Sequence, residues 1–419
     1  MRQYEIRGGR PLYGSITLQG AKNSALPLMA ACLLCTEGVS CLDRCPILWD
    51  TALAGHILTS LGCGVIRTGG LVTVDAGRAV SSPVSREYCA GMRSSELYLG
   101  PMLARFRKAD LYFPGGCSLG ARPIDIHIKG LEQMGASFSV EDGHISAVCP
   151  KGLHGTVIDL PFPSVGATEN IMMAACLAKG RTTIRNAAIE PEILDLADFI
   201  GRMGGNVHMD GRRVTVSGTE GLRGCYKKVM PDRIAAITYF TAALAANGNI
   251  SVRGAESAHM RASMEILKKA GAAFDPVKRE IGVRRTGKIL PVRDIITAPY
   301  PRFPTDDMAA VMSLLTMADG VSTLRETVFS DRFALVGELR KLGADITVRQ
   351  GVAAVRGVRK LYGAKVRATD LRAGAALIVA GLAADGLTVI EDDGHIERGY
   401  ENITGTLRDL GAQITEREL

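Results

Sequence analysis

The stretch Leu342-Gly343-Ala344-Asp345-Ile346 is one copy of a short phrase that recurs along the chain and decides its fold. The phrase reads as a small or aliphatic residue, Gly, a small residue, any residue, and an aliphatic or aromatic residue. The other copies begin at Leu61, Met134, Met203, Ala270 and Leu410. Because the glycines recur every 67 to 73 residues, the chain is predicted to consist of six similar units.

Each copy of the phrase follows an amphipathic segment, such as residues 128–134, and so predicts the end of a helix. The Gly suits the left-handed conformation of a helix C-cap, and a strand is expected to follow it. A second marker, an Ala-rich helix that ends before an alternating strand, occurs at Gly180, Gly248 and Gly386. Each unit is therefore predicted to combine strands with two helices in a mixed α/β fold.

The length of the units favours two domains. Units of this size are larger than solenoid repeats, so three units per globular domain is the better interpretation. A chain of 419 residues also exceeds the size at which a single hydrophobic core stops growing. We expect the chain to cross between the halves within residues 224–232, whereas the periodicity does not assign the first twenty residues to either half.

Composition and charge narrow the function. The first fifteen residues lack the apolar segment of a secretory signal, and the apolar stretches are too short to span a bilayer. Ten irregularly spaced cysteines predict reduced thiols and a cytoplasmic protein. The net charge of +7 comes from scattered basic residues, which favours a small polyanionic substrate over nucleic acid or a membrane.

The segment Pro114-Gly-Gly-Cys-Ser-Leu-Gly-Ala-Arg-Pro123 is the strongest candidate for chemistry. Its glycines allow backbone amides to approach an anion, and Arg122 can lower the pKa of the Cys117 thiol so that it acts as an acid or a nucleophile. The alternative is a glycine-rich turn with an incidental Cys. A zinc site at the cysteines within residues 32–45 is disfavoured because they lack paired-knuckle spacing, so no metal is predicted.

Three further candidates open predicted helices. Lys22 precedes a helix expected over residues 25–34, where it can bind phosphate or carboxylate; the alternative is a solvated Lys. Ser164 opens a helix in the third unit, where it can hold a diphosphate or serve as an N-cap. Asp306 opens a helix in the fifth unit, as a cap or a general base.

The last charged candidates, Asp370, Arg372 and Arg398, lie at unit boundaries, and each taken alone is more typical of a surface ion pair. The helix-opening loops of the first, third, fifth and sixth units nevertheless all carry polar or charged groups. In pseudo-symmetric domains these ends point the same way, so we expect the two halves to face each other across a charged cleft.

The chain resembles the enolpyruvyl transferase family over nearly its whole length. The phrases that carry the resemblance are Gly20-Ala-Lys-Asn-Ser-Ala-Leu-Pro27, the Pro114–Pro123 loop, Pro163-Ser-Val-Gly-Ala-Thr168, Phe303-Pro-Thr-Asp306 and Ala368-Thr-Asp-Leu-Arg-Ala373. The resemblance implies two inside-out α/β barrel domains, each of three pseudo-symmetric β/α repeats, with an interdomain active-site cleft. It also implies that residues 22–229 form the first domain, with the cysteine loop, and that residues 1–21 and 230–419 form the second.

The resemblance implies a function as well. The branch with the cysteine loop would transfer the enolpyruvyl group of phosphoenolpyruvate to the 3-hydroxyl of UDP-N-acetylglucosamine, release phosphate, and so begin peptidoglycan synthesis, without a cofactor. Cys117 would protonate the enol carbon or form an adduct with the pyruvyl carbon, and Asp306 would accept the hydroxyl proton.

The site residues that the resemblance implies fall into four groups. The catalytic residues would be Cys117, Asp306, Lys22 and Arg398. The phosphoenolpyruvate site would use Lys22, Asn23, Arg122 and Arg398. The contacts to UDP-N-acetylglucosamine would come from Asn23, Arg93, Arg122, Pro123, Ile124, Asp125, Ile126, Ser164, Val165, Gly166, Asp306 and Val328. Further polar groups of the cleft would be Arg332, Asp370 and Arg372.

Some positions depart from the family pattern and keep an alternative open. Asp307-Met308-Ala309-Ala310 stands where relatives usually read Met-Gln-Ala-Gln, and Ala235 stands where an acidic residue is common. After Arg332 the chain reads Phe333-Ala-Leu-Val336 in place of Phe-Met-His-Val. These departures concern the sugar more than phosphoenolpyruvate, so the alternative is a paralogous enzyme with another nucleotide sugar or acceptor.

Overall fold

The computed structural model describes residues 1–115, 124–277, 280–329 and 331–418. The α-helices are α1 (Lys22–Cys32), α2 (Trp49–Ser60), α3 (Arg86–Gly91), α4 (Leu99–Phe106), α5 (Asp125–Gln133), α6 (Val165–Ala175), α7 (Pro191–Arg202), α8 (Arg233–Ala245), α9 (Arg261–Lys269), α10 (Thr305–Leu315), α11 (Leu335–Lys341), α12 (Leu371–Ala383) and α13 (Ile403–Asp409). Short 3₁₀ helices span Arg93–Tyr98, Ser257–Met260, Arg332–Ala334 and Ile396–Arg398.

The strands are short, between two and six residues long. They are β1 (Arg2–Arg7), β2 (Tyr13–Thr17), β3 (Cys35–Glu37), β4 (Val39–Asp43), β5 (Gly64–Thr68), β6 (Leu71–Asp75), β7 (Lys108–Tyr112), β8 (Ser137–Glu141), β9 (His144–Val148), β10 (Val157–Asp159), β11 (Arg181–Arg185), β12 (Asn206–Asp210), β13 (Arg213–Ser217), β14 (Leu222–Arg223), β15 (Tyr226–Lys228), β16 (Asn249–Arg253), β17 (Ala272–Val277), β18 (Glu280–Arg285), β19 (Ile295–Ile296), β20 (Val321–Arg325), β21 (Asp345–Arg349), β22 (Val352–Arg356), β23 (Lys365–Arg367), β24 (Leu387–Asp392) and β25 (Gln413–Glu418).

The described chain folds into two compact units, each with its own hydrophobic core. Unit I contains residues 20–115 and 124–230, and unit II contains residues 1–19 and 231–418. Each unit holds three principal sheets, and unit I adds the small pair β3 and β14. The repeat predicted from the glycine intervals is therefore present as three sheets per unit.

One βαβαββ pattern explains most of these sheets. In the repeat β10–α6–β11–α7–β12–β13, the first two strands are parallel and the last two form an antiparallel hairpin, which gives the order β10-β11-β13-β12. The repeat β19–α10–β20–α11–β21–β22 has the same order, β19-β20-β22-β21. The recurrence of one topology accounts for the regular spacing of the sequence phrase.

Distant segments complete the remaining repeats. Strand β1 lies between β24 and β25 and is antiparallel to both, and β2 pairs in parallel with β16. These pairings place the first nineteen residues in unit II. In unit I, β15 pairs in parallel with β4, so a late strand completes the first sheet.

Buried helices form the centre of unit II. All thirteen residues of α8 are buried, and α8, α10 and α12 pack against one another while also contacting strands of the surrounding sheets. The 3₁₀ helix Ile396–Arg398 also packs closely on α12, because a methyl group added at Gly374 of α12 would lie 2.5 Å from Ile396 Cγ1. Helices on the inside and sheets around them are the inside-out arrangement that the resemblance implied.

The six glycines of the repeated phrase all adopt positive φ, as predicted for helix C-caps. Their φ angles are 81° at Gly62, 100° at Gly135, 96° at Gly204, 99° at Gly271, 92° at Gly343 and 99° at Gly411. This left-handed conformation is costly for residues with a Cβ, so the chain places Gly at each of these six turns. No helix in the part of the chain that the structure describes is long and apolar enough to cross a membrane.

Candidate active site

Asp306 is the centre of a charged cluster in unit II. It lies in the first turn of α10, where its side chain keeps 27% of its exposure, and Arg332 donates from Nη2 to its Oδ1 over 2.8 Å. Arg332 Nε also donates to Thr305 Oγ1 over 3.1 Å. The second carboxylate oxygen, Oδ2, lies 3.4 Å from Arg372 Nη2. Two guanidinium groups thus hold the carboxylate while leaving it partly exposed to solvent.

Asp370 and Arg372 extend this cluster at the start of α12. Asp370 is the N-cap, and its Oδ1 accepts hydrogen bonds from the backbone N–H groups of Arg372, over 2.8 Å, and Ala373, over 3.1 Å. The interpretation of Asp370 and Arg372 as surface ion pairs is wrong, because both are only 5% exposed. Burial alone would lower the pKa of Arg372, but neighbouring groups led by Asp306 raise it overall.

Glu326 organises the loop that carries Val328, and the sequence analysis missed it. Its Oε1 accepts from Thr297 Oγ1 at 2.7 Å and from the Val328 N–H at 2.6 Å, and its Oε2 accepts from Thr305 Oγ1 at 2.7 Å. Val328 itself is half-buried. Since Thr305 precedes Asp306 directly, this carboxylate ties the Val328 loop to the start of α10.

Gln19 fixes the segment that follows Arg398. Its Nε2 donates to the Gly399 carbonyl over 2.9 Å, and its Oε1 accepts from the Glu401 N–H over 3.0 Å. Arg398 ends a 3₁₀ turn and is half-buried. Tyr400, which lies between Gly399 and Glu401, is buried, and its hydroxyl oxygen lies 2.7 Å from Thr238 Oγ1. The start of the chain therefore contributes directly to the environment of Arg398.

Lys22 begins α1 in unit I, three residues earlier than the helix predicted from the sequence, and α1 ends two residues earlier, at Cys32. The Lys22 Nζ lies 2.6 Å from Asp50 Oδ2, and the side chains of Lys22 and Asp50 are 9% and 2% exposed, respectively. The interpretation of Lys22 as a solvated lysine is wrong. Asp50 was not predicted as a site residue, because it lies in α2 while its partner Lys22 lies in α1. Asn23, the next residue, is exposed.

The loop at the start of α6 has the N-cap geometry that Ser164 predicted. Ser164 Oγ accepts a hydrogen bond from the Ala167 N–H over 3.3 Å, while Val165 and Gly166 are half-buried. A methyl group added at Gly166 would lie 3.0 Å from His127 Cε1, so the absence of a side chain lets the ring approach the helix end. The helix dipole and backbone N–H groups make this end suitable for an anion.

His127 and Asn170 form a buried hydrogen-bonded group beneath this loop. Asn170 Nδ2 lies 3.0 Å from His127 Nδ1 and donates to the Glu96 carbonyl over 2.7 Å. Asn170 Oδ1 accepts from the Gly100 N–H over 2.6 Å. Since Asn170 Nδ2 is a donor, His127 Nδ1 is the acceptor and Nε2 carries the proton. Burial lowers the pKa of His127 to about 4, so the ring is neutral at pH 7.

The remaining predicted residues of unit I are partly described. Arg93 Nε lies 3.7 Å from Glu96 Oε1, with the Arg93 side chain 22% exposed. Ile124 is buried, and Ile126 is half-buried in α5. Asp125 begins α5 with 49% of its side chain exposed and lies 3.5 Å from Lys129 Nζ. Cys117, Arg122 and Pro123 lie outside the described residues.

The cysteines of the described chain are nine free thiols. Seven are buried, and Cys41 and Cys225 are half-buried. Burial raises the pKa of Cys63 to about 11 and of Cys176 to about 12, which makes these two thiols inert. Within residues 1–115, 124–277, 280–329 and 331–418, no group of three or more His, Cys, Asp or Glu side chains is arranged to hold a metal ion.

A surface cavity of about 330 Å³ on unit I is separate from these groups. It is lined by Arg185, Asn186, Asp210, Arg212 and Arg213, at the ends of β11, β12 and β13. None of the predicted site residues lines it. The predicted chemistry therefore rests on the helix starts rather than on this cavity.

The buried partners Asp50, His127, Asn170 and Glu326 carried little signal in the sequence. Each is separated along the chain from the group that it contacts: 29 residues separate Glu326 from Thr297, and 43 separate His127 from Asn170. A single Asp, His, Asn or Glu in an ordinary helix or loop gives no pattern of its own. The repeat offered one clue, because the partners flank the helix starts that already carried candidates.

Comparison with known proteins gives three findings. The family model of EPSP synthase (3-phosphoshikimate 1-carboxyvinyltransferase) matches residues 6–407. A UDP-N-acetylglucosamine 1-carboxyvinyltransferase of Sulfurovum sp. (strain NBC37-1) is 44% identical over 421 residues, covering 100% of this chain and 99% of the relative. A UDP-N-acetylglucosamine 1-carboxyvinyltransferase 1 of Staphylococcus aureus (strain bovine RF122 / ET3-1) is 44% identical over 417 residues, covering 99% of each chain.

Solved structures agree on the fold. The enolpyruvyl transferase NikO from Streptomyces tendae superposes with a TM-score of 0.89 at 23% identity, covering 99% of this chain and 98% of that one. An EPSP synthase from Acinetobacter baumannii gives a TM-score of 0.79 at 19% identity, with both chains covered in full. At these identities the structural likeness shows the fold alone.

Proposed function

The chain belongs to the EPSP synthase family, and from this premise we propose that it transfers the enolpyruvyl group of phosphoenolpyruvate to the 3-hydroxyl of UDP-N-acetylglucosamine. Phosphate is the second product. The observation that carries the proposal is 44% identity, over 99% or more of the chain, to relatives named UDP-N-acetylglucosamine 1-carboxyvinyltransferase. The arrangement of polar groups on each unit supports it.

Asp306 is the general base of the proposed reaction. Arg332 and Arg372 contact different oxygens of its carboxylate, at 2.8 Å and 3.4 Å, so its orientation is set from two sides. The carboxylate is the partly exposed member of this otherwise buried cluster and can reach a substrate hydroxyl. It takes the proton of the 3-hydroxyl as the oxygen attacks C2 of phosphoenolpyruvate.

Lys22, Arg122 and Arg398 bind the anionic groups of phosphoenolpyruvate. The Asp50 carboxylate, 2.6 Å from Lys22 Nζ, pairs with this side chain and fixes its direction. Gln19 holds the backbone after Arg398 through two hydrogen bonds. Cationic groups positioned in this way stabilise the charge on phosphate as it leaves.

Cys117 is the acid of the proposed mechanism. It gives a proton to C3 of phosphoenolpyruvate while the sugar oxygen bonds to C2, which produces a tetrahedral ketal. The bond from C2 to the phosphate oxygen then breaks, C3 loses a proton, and the enol ether and phosphate are released. The proton given to C3 returns to the Cys117 sulfur in the second step, and the hydroxyl proton that Asp306 accepted passes to the departing phosphate, so both side chains are regenerated.

The start of α6 binds the diphosphate of the nucleotide sugar. Ser164 caps the helix, Gly166 leaves space, and the protonated Nε2 of neutral His127 adds a donor beside it. Asn23, Arg93, Val328 and residues 122–126 complete the contacts to the nucleotide sugar. We place the reaction in the cytoplasm, where free thiols persist, as the first committed step of peptidoglycan synthesis.

The test is to incubate the purified protein with phosphoenolpyruvate and one acceptor at a time and to identify the product by mass spectrometry. UDP-N-acetylglucosamine is expected to yield its enolpyruvyl ether. UDP-N-acetylgalactosamine, UDP-glucose and shikimate 3-phosphate, which alter the sugar or remove the nucleotide, are expected to react at least about 100-fold more slowly. Turnover with one of these rivals and none with UDP-N-acetylglucosamine would contradict the proposal.

A further inference from the structure

Asp307 follows the proposed base Asp306 on α10 but points into the protein. It is 2% exposed, and its Oδ2 lies 2.5 Å from the hydroxyl of Ser263 on α9, a residue that is itself 1% exposed. Its other oxygen, Oδ1, has no hydrogen-bond partner among the residues that the structure describes. A buried carboxyl group with one hydroxyl partner therefore lies directly beside the proposed catalytic carboxylate.

This setting suits a neutral carboxylic acid better than a carboxylate. An ionised carboxylate has acceptor sites on both oxygens, and burying one with a single neutral donor leaves its charge largely unsolvated. A neutral acid carries no charge, so it can accept the same hydrogen bond from the Ser263 hydroxyl and keep its other oxygen unpaired at a far smaller cost of burial. The count of hydrogen bonds thus indicates that Asp307 holds a proton in the folded protein.

The charged groups around Asp307 come from three helices. Burial raises the pKa of Asp307 to about 7, and the charge of Asp306 on the same helix adds to the rise. The hydrogen bond with Ser263 on α9 and the charges of Arg233 on α8 and Arg372 on α12 act in the opposite direction. The net effect of these groups on the pKa and the single hydrogen bond both indicate that Asp307 is a neutral acid below pH 7.

We propose that Asp307 is a positioning residue that works as a neutral acid, fixing the first turn of α10 to α9 through Ser263 so that Asp306 stays in contact with Arg332 and Arg372. The proposal rests on the proposed role of Asp306 as the base. Ionisation of Asp307 places a second negative charge beside Asp306, in a buried setting where the Ser263 hydroxyl is its hydrogen-bond donor among the described residues. Activity therefore declines as Asp307 loses its proton.

The test compares the wild type with Asp307→Asn, Asp307→Ala and the control Asp319→Asn, which changes an exposed aspartate paired with Lys288. Phosphate release is measured between pH 5.5 and 9, with kcat and KM at each pH. The kcat of the wild type is expected to fall as Asp307 ionises near pH 7. The control Asp319→Asn should show the same dependence of kcat on pH. Asp307→Asn, which resembles the neutral acid, should keep kcat within about threefold at pH 6 and lack that ionisation.

Asp307→Ala should lower kcat at least about tenfold at pH 6, because Asp306 is no longer held in position. KM should stay nearly unchanged, because the side chains that bind substrate are still present. Where Asp307→Ala does not fold, Ser263→Ala removes the other half of the contact and should have the same effect. Unchanged kcat in Asp307→Ala or Ser263→Ala, or an Asp307→Asn profile that matches the wild type, would overturn the proposal.

Thermal unfolding separates this proposal from the proposed function. The folded state keeps a proton that the unfolded state releases, so the wild type should lose stability as pH rises from about 4 to 7. Asp307→Asn should lack this loss, and its midpoint should exceed that of the wild type increasingly toward pH 8. Equal pH dependence in both proteins would overturn the neutral acid. A wild type that releases no phosphate contradicts the proposed function, while the unfolding comparison still decides the state of Asp307.

Discussion

Arg332 Nη2 lies 2.8 Å from Asp306 Oδ1 in a side chain that is 1% exposed, while the carboxylate that it holds is 27% exposed. The same guanidinium reaches Thr305 Oγ1 and lies 3.7 Å from Asp370 Oδ1. A fully buried cation therefore orients a partly exposed carboxylate. This asymmetry is what a general base requires, because the acting group must meet substrate while its support stays fixed.

Replacing Asp306 with Asn should abolish most of the activity. Asn keeps the shape and one acceptor oxygen but cannot take the hydroxyl proton, so kcat should fall by about 10²- to 10⁴-fold. Phosphate release at saturating substrates measures this loss. Asp319→Asn, an exposed carboxylate of the same unit, serves as the control and should be unaffected. Wild-type turnover in Asp306→Asn would remove Asp306 from the mechanism.

Replacing Arg332 with Met should destabilise the protein. The change removes the buried guanidinium that lies 2.8 Å from Asp306 Oδ1 and 3.7 Å from Asp370 Oδ1, and breaking such a pair costs about 3–5 kcal/mol in the free energy of unfolding. Chemical denaturation measures the difference. The control Arg356→Met removes an exposed ion pair with Asp345 and should cost about 0–1 kcal/mol. Equal effects of the two substitutions would show that Arg332 is not an essential support.

Replacing Cys117 with Ser should cripple turnover and prevent alkylation by fosfomycin-type epoxides, because the hydroxyl is a much weaker acid and nucleophile. Cys117→Asp should be milder, since a carboxylic acid can also donate a proton. Intact mass after epoxide treatment measures the labelling, and Cys41→Ser, at a half-buried thiol, is the control that should still be labelled. Full activity in Cys117→Ser would exclude the assigned role.

His127 should make the protein sensitive to acid. Burial lowers its pKa to about 4, below the value of about 6.5 in the unfolded chain, so the unfolded state binds the proton first as pH falls. Stability is then lost between about pH 6.5 and 4, by up to roughly 3 kcal/mol. Unfolding midpoints of the wild type and His127→Gln across this range test the effect, with His208→Gln on β12 as the control. An unchanged acid profile in His127→Gln would contradict it.

Two glycines near the end of α7 should respond in opposite directions to Ala. Gly204 has φ of 96°, so Gly204→Ala should lower the free energy of unfolding by about 1–2 kcal/mol. Gly201 lies inside the helix, and beyond its own helix backbone and chain neighbours no described atom lies within 4 Å of an added methyl, so Gly201→Ala should raise the free energy of unfolding by about 0.4–1 kcal/mol. Denaturant titration of both variants decides the point, and a shift in the same direction would contradict the C-cap assignment.

The repeat and its turns were predictable from the sequence because they depend on local chemistry. A helix that must reverse into a strand needs a left-handed residue, and Gly343 and its five counterparts meet this need at regular intervals. The insertion of β1 between β24 and β25 was not predictable from the periodicity of the sequence. Arg2 of β1 pairs with Glu418 of β25, and no local pattern records a contact between the two ends of a chain.

The positions of the candidate residues at helix starts were predictable from the sequence, but their burial was not. Lys22, Asp306 and Asp370 were chosen as candidates because charged residues at helix starts form a pattern. Their burial followed from partners in distant elements, such as Asp50 for Lys22, which the sequence did not connect. Asp307 was noted in the sequence as a departure from the family pattern, and its contact with Ser263 on another helix became evident from the structure.

Phosphate release by the wild-type protein, followed with phosphoenolpyruvate and UDP-N-acetylglucosamine together and with each alone, tests enolpyruvyl transfer most directly. We expect one phosphate for each UDP-N-acetylglucosamine consumed, and none above background when either substrate is omitted. Release that does not depend on the sugar nucleotide, or no release with both substrates present, would contradict the account.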